Sequence, residues 1–225
     1  MIIGVVAAMD NELRPFLNAF ALIRTVEHGH NTFYLCEEKE HTLVFVCSGR
    51  GKVNAAVFTQ LMITHFTPNL LLNVGVSGGI EETSRIGDLY LGRQYCHHDV
   101  RKRQSEKTFP KQLYYSGNEK MIRLFRTIEP TVKIGIFGTG EGFVADPKLK
   151  QKLYNEFQIS AVDMESAAAA QCCFLNDTEY LSIRGICDKA DEQATSTTEE
   201  LQETISEKIV VLLQKSLDLL SSINS

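Results

Sequence analysis

The sequence predicts an α/β fold in one domain over residues 1–225. Three observations carry this. Continuous apolar runs of strand length recur along the chain, helical patterns separate them, and several runs stop abruptly at glycines or acids. No linker divides the 225 residues, a length that supports one large core. The most informative stretch is Ser160 to Asp191, where two apolar runs end in carboxylates. The first, Ile159 to Met164, contains Asp163, is followed at once by Glu165 and passes into an Ala-rich helical segment; the second, Tyr180 to Cys187, carries Arg184 and stops at Asp188. Ligands of open α/β sheets sit outside the carboxyl ends of the strands, so acids at two strand ends can face one ligand.

The first element is the run Ile2 to Ala8, read as a strand covered on both faces, which ends at Met9, Asp10, Asn11 and Glu12. A helix is expected next, capped by Asp10 or Asn11; Glu12 taken alone is a first-turn acid complementing the helix dipole. His41 to Cys47 is the next clear strand, and Ser48-Gly49-Arg50-Gly51 forms a turn before a helix starting near Lys52. Such a turn suits an anion or a polar ligand, and equally a plain connection. Asn69 to Val76 is a strand followed by a Ser77-Gly78-Gly79 turn, where glycine permits close approach of a ligand or simply reverses the chain.

Ile86 to Tyr95 reads as a strand leading into CHHDVRKRQSEKTFPK, the most polar and least regular segment. His97 and His98 are adjacent and lack metal-ligand spacing, so they read as loop histidines. Val132 to Phe137 is a strand, and the Gly-rich GTGEGFVADP after it contains Phe143, a core aromatic or a platform for a planar base. Pro147 to Phe157 is a helix started by Asp146 or Pro147. Thr197 to Leu220 is the longest amphipathic pattern, with Leu201, Ile205, Ile209, Leu212, Leu213, Leu217 and Leu220 on one face.

Bulk properties narrow the function. The net charge of −5 gives no basic field for nucleic acid, and Arg101, Lys102, Arg103, Lys107 and Lys111 form only a local run that reads as solvated loop. No run is long enough to cross a membrane, and MIIGVVAAMDNEL reads as a buried strand rather than a leader. The six cysteines show no C-x-x-C pair, so neither a disulfide framework nor a metal site is indicated, and a cytoplasmic setting fits.

Taken together, Glu12, Glu165 and Asp188, with SGRGKVNAA, NVGVSGG, GEGFVADP, AVDMES and IRGICDKAD, make the sequence resemble the 5′-methylthioadenosine/S-adenosylhomocysteine nucleosidases of the nucleoside phosphorylase superfamily. The resemblance spans nearly the whole chain. It implies a single-domain, three-layer mixed β-sheet flanked by helices, a cofactor-free homodimer, and cleavage by water of the N-glycosidic bond of a small adenine nucleoside. On that resemblance Asp188 activates the leaving base at N7, Glu12 is general base for the water, and Arg184 helps orient the water. Glu165 would hold the ribose hydroxyls over Met164, Phe143 would stack on adenine, and the Val144 backbone would read the base edge. Ser77 and Gly78 would line sugar and base, with Met9 also on the binding surface. This division suits an oxocarbenium-like transition state, which wants an acid at the leaving group, a base at the water and negative charge beside the sugar.

Phosphorylases of this resemblance carry an arginine in a Gly-Asp-Pro segment after the first strand and another before the Val-Gly turn. Asp10-Asn11-Glu12 and Asn73 stand there instead, and an anionic Glu12 would repel phosphate. Three positions depart from the nucleosidases. Arg50 replaces an aliphatic residue of the 5′-alkylthio subsite, Arg103 stands where a neighbouring subunit offers an aromatic, and Thr198 where a Phe is common. Guanidinium groups there would favour a 5′ carboxylate or phosphate, as in a nucleotide or an aminofutalosine-like compound. Alternatively Arg50 points to solvent or pairs with the homocysteine carboxylate.

Overall fold

The computed structural model describes residues 1–191 and 199–224, the last four by backbone alone. The apolar runs form a ten-stranded mixed sheet. Four strands lie side by side and parallel: β1 (Ile2–Ala7) between β4 (His41–Cys47) and β5 (Leu70–Gly79), with β10 (Tyr180–Asp188) on the far side of β5. An antiparallel hairpin, β2 (Ala21–His28) and β3 (Asn31–Glu38), extends the sheet beyond β4. On the other side β10 also pairs with β6 (Leu89–His97), β6 with β8 (Lys133–Thr139), β8 with β9 (Ala161–Asp163), and β9 with β5. Half of the sheet therefore closes on itself, where the strand ends alone suggest an open one. The two-residue β7 (Tyr115–Ser116) hangs on β6.

Helices cover both faces, giving three layers. Alternate residues of the parallel strands point to opposite sides, as the two-residue period requires. Ile3, Val5 and Leu72 meet α1 (Asp10–Ala19), α4 (Glu119–Ile128) and α7 (Glu199–Asn224) through Phe16, Phe125 and Leu213. Val6, Val44 and Leu71 meet α2 (Lys52–Phe66) and α6 (Ser166–Leu175) through Met62 and Ala169. The stripe read on α7 packs as expected: Ile205, Ile209, Leu212, Leu213 and Leu217 are buried, each such side chain worth about 1.5–3 kcal/mol. Residues 192–198, including Thr197 and Thr198, lie outside the described residues.

Several boundaries differ from the sequence reading. Ser77, Gly78 and Gly79 are the end of strand β5 rather than a turn, because β9 and β10 both pair with them. The strand expected from Ile86 begins at Leu89, since Ile86 sits 55% exposed in the preceding turn. The polar segment after β6 contains a short helix, α3 (Lys102–Lys107), with Lys102 Nζ 4.8 Å from the Phe157 ring centre. His97 closes β6 and so is not a loop residue, while His98 sits in the turn after it, as read, half-buried beside Gly140. The helix α5 (Pro147–Phe157) has the bounds the sequence implies, capped by Asp146 through Lys148 N at 2.9 Å.

Candidate active site

The carboxyl ends of β4, β1, β5 and β10 open onto one cavity of about 310 Å³, the scale of a small-molecule site. Each end contributes a side chain for a local reason. After β1 the chain enters α1 with Met9, not Asp10 or Asn11, at the cap position, and Glu12 stands at N3. Its carboxylate turns back and accepts from the backbone N–H of Ala8 (3.1 Å) and Met9 (3.0 Å) through Oε2, and from Val76 (2.9 Å) on β5 through Oε1. Only 1% of Glu12 is exposed. It is thus fixed between two strands, unlike a solvated first-turn acid.

Burial raises the Glu12 carboxyl to about 7, against the opposing pull of Arg184 and of the backbone donors. Gly75 lets these groups meet: its φ is +151°, and a Cβ there would collide with Glu12 Oε1 and lie 2.9 Å from Arg184 Nη1.

Arg184 projects from the middle of β10 and is fully enclosed. Its guanidinium donates to Asn73 Oδ1 (2.5 Å), the Val76 carbonyl (3.2 Å), Ser182 Oγ (3.3 Å) and Glu165 Oε2 (3.4 Å), and lies 3.5 Å from Asp163 Oδ2. It does not line the cavity. The sequence reading set it beside the attacking water; with its donors held by these buried acceptors it sits behind the wall, beneath the acids. Removing one member of such a buried charged set leaves the others unpaired, which is costly.

Glu165 and Asp163 come from the short β9 and the start of α6. Asp163 Oδ1 accepts from Glu165 N (3.1 Å), Ser166 N (3.0 Å) and Thr139 Oγ1 (2.7 Å), so it holds the first amide of α6 and sets the backbone of Glu165, the residue at the cap position. Glu165 Oε1 in turn accepts from Gly51 N at 2.9 Å. The Ser48–Gly51 turn therefore already has an anion on its glycine amide, a protein carboxylate. Burial raises the Glu165 carboxyl, and Arg184 opposes the rise.

Asp188 ends β10 after an irregularity between Ile186 and Asp188. Its Oδ1 accepts from Ala190 N (2.7 Å) and its Oδ2 from the Cys187 thiol (3.2 Å). Burial raises its carboxyl, with the Ala190 N–H opposing, which favours the protonated form an acid needs. Gly78 faces it on β5: a Cβ there would lie 2.8 Å from Asp188 Oδ1.

The remaining expected residues divide clearly. Met9, Ser77, Gly78, Phe143, Val144 and Met164 all line the cavity. Val144 is buried, while Phe143 is 55% exposed. Their loop is tied down by Glu141, whose N–H donates to Asp99 Oδ2 (3.0 Å) and whose Oε1 accepts from Lys52 N (2.9 Å). Arg50 also lines the cavity, its guanidinium 2.8 Å from Met9 Sδ. Arg103, on the exposed α3, does not line the cavity of its own chain.

Three site residues carry no role from sequence: Asp163, read only as an acid at a strand end, Asn73, read only as standing in place of an arginine, and Gln202, not singled out at all. Asn73 had a signal, a polar side chain inside the run LLLNVGV, where burial demands partners. Asp163 had a similar one. Gln202, which lines the cavity and accepts from Asn11 Nδ2, sits on a half-buried helix turn with no distinguishing pattern. Among the described residues no cluster of three or more His, Cys, Asp or Glu could hold a metal ion.

A mixed sheet that gathers buried carboxylates at its parallel edge defines the class: the chain belongs to the phosphorylase superfamily, whose family pattern matches residues 2–220. Its relatives include the 5′-methylthioadenosine/S-adenosylhomocysteine nucleosidase of Listeria monocytogenes, 30% identical over 89% of this chain and 91% of that one. The Helicobacter pylori nucleosidase of the same name, crystallised with a pyrrolopyrimidine inhibitor, superposes with a TM-score of 0.90 at 27% identity, covering 97% of this chain and 98% of that one. The H. pylori futalosine hydrolase structure is equally similar: TM-score 0.90, 26% identity, 97% of each chain.

Proposed function

We propose that this protein hydrolyses the N-glycosidic bond of an adenine nucleoside of the 5′-methylthioadenosine/S-adenosylhomocysteine type. The observation that carries the reading is the meeting of Glu12, Glu165 and Asp188, distant in sequence, on the wall of a single cavity. Water attacks C1′ and gives its proton to Glu12. The C1′–N9 electron pair leaves with the base, and Asp188 donates a proton to adenine N7. Glu165 stands beside the ribose, where negative charge favours the oxocarbenium-like state. Phe143 and Val144 receive the base, Met164 the sugar, and Ser77 and Gly78 the space between. Arg184 is a positioning residue acting through Glu165 and Glu12. Water rather than phosphate is the nucleophile, because the buried acids would repel a phosphate dianion and Arg184 is already held by protein acceptors.

The test is release of free adenine and a 5-substituted ribose from methylthioadenosine or S-adenosylhomocysteine in phosphate-free buffer. Absence of adenine from both, with folded protein, removes the reading; a ribose 1-phosphate product formed only with phosphate would make the protein a phosphorylase.

Protonation supplies a second check. Glu12 must be ionised to accept a proton, and with its carboxyl raised to about 7 the active fraction falls as pH drops below that value. We expect kcat/KM to rise with pH to a midpoint near 7. Asp188, its carboxyl raised by burial, must keep its proton for the same step, so kcat/KM falls again once that proton is lost. A rising limb centred in the ordinary carboxylate range would assign the base elsewhere.

A homodimer is part of the proposal. Val53 and Val57 on α2 and Phe174 and Leu175 on α6 form an exposed apolar face that a second copy would cover. A cytoplasmic setting is supported by six free cysteines. Among the described residues no helix is long and apolar enough to cross a membrane.

A further inference from the structure

The cavity is acidic along most of its length: Glu12, Asp163, Glu165 and Asp188 all line it. Arg50 is the one basic residue on its wall among the described residues. Its neighbours leave it unneutralised. Nε and Nη2 point at the thioether of Met9 (3.1 and 2.8 Å), a weak acceptor, and no carboxylate among the described residues pairs with it. The nearby Lys52, by contrast, is held by Asp99 at 2.7 Å. An exposed guanidinium fork at a cavity mouth, resting on a sulfur that cannot satisfy it, keeps N–H donors for something that enters.

Its place in the sheet says which part of a ligand that is. Arg50 follows β4 and Asp188 ends β10; β1 and β5 lie between them. Three strand spacings separate the two ends by roughly 14 Å. A nucleoside whose base is at Asp188 and whose sugar lies over Glu165 and Glu12 therefore directs its 5′ substituent toward Arg50. One planar fork matches one carboxylate. A phosphate dianion would meet the four acids with twice the charge and only this single fork to hold it.

We infer that Arg50 selects nucleosides whose 5′ side chain ends in a carboxylate. The inference rests on the hydrolase reading for the orientation of the ligand. The matched pair that tests it is 5′-butylthioadenosine and 5′-(3-carboxypropylthio)adenosine, equal in length and different only in the terminal charge. The carboxylate member should be cleaved with a kcat/KM at least about tenfold higher, the scale of one charge-assisted hydrogen-bonded pair. The gain should appear in KM rather than kcat, because the contact is remote from C1′, and should shrink with added salt, because Arg50 is exposed.

Arg50→Met should bring the two substrates within about threefold of each other, and Arg50→Lys should keep part of the preference, as charge without the fork. Equal rates for the pair with the unaltered protein, or a preference that survives Arg50→Met, overturn the inference and leave the hydrolase reading standing. Faster cleavage of AMP than of the carboxylate overturns the assignment of the anion. If neither member releases adenine, the hydrolase reading fails, and calorimetric binding of the same pair reads the role of Arg50 alone. Tighter binding of the carboxylate, lost in Arg50→Met, supports it, and equal or absent binding overturns it.

Discussion

Asp188→Asn should lower kcat by roughly 10²-fold or more while the protein still folds. The amide keeps an oxygen for the Ala190 N–H, so the local turn survives, and only the weak bond from the Cys187 thiol is lost. What disappears is the proton for the departing base. Adenine leaving as an anion is a poor leaving group, and the lost proton transfer is the whole expected effect. A substrate that needs no such proton separates this from general damage. With 4-nitrophenyl riboside, whose leaving group is stable as an anion, the variant should approach the unaltered enzyme. An equal loss on both substrates would remove Asp188 from the acid role.

Glu12→Gln should cost turnover on the same scale, roughly 10²-fold or more, by removing the acceptor of the water proton. Its structural cost is larger. Both carboxylate oxygens accept backbone N–H groups, so either orientation of the amide sets its NH2 against a donor. At least one buried donor is left unpaired, a loss of about 1–3 kcal/mol. The variant should therefore melt at a lower temperature yet bind nucleoside, and its residual rate should no longer rise through pH 7. Near-normal kcat in the folded variant would exclude Glu12 as the base.

Much of this arrangement is legible from residue pattern, for stated physical reasons. Strands buried on both faces, such as β1 and β4, read as unbroken apolar runs, and α5 announces itself by Asp146-Pro147 at its start. Acids at strand ends stand out because an apolar core does not hold them without partners. The β2–β3 hairpin is silent because β2 is almost wholly exposed and so carries no alternation. The closure of β10 onto β6 and β5 is equally silent, since pairing between distant strands leaves no local trace. Arg184 illustrates the boundary. Its position inside an apolar run marks it as special, but only the coordinates tell that Asn73, Ser182 and Asp163 draw it behind the cavity wall. For Asn73 the sequence offered the same clue, a lone amide among leucines.

Strand β5 belongs both to the closed ring and to the open wing: β1, β9 and β10 all bond to it. Its tip supplies Val76, Ser77 and Gly78 to the cavity. Amides along it should be among the slowest in the molecule to exchange with deuterium, because freeing them means parting three neighbours at once. The catalytic carboxylates Glu12 and Asp188 thus adjoin the part of the chain least able to come apart by itself, one bonded to Val76 and the other paired beside Gly78. Denaturant should abolish catalysis in the same concentration range in which the sheet is lost, with no inactive but otherwise folded species between.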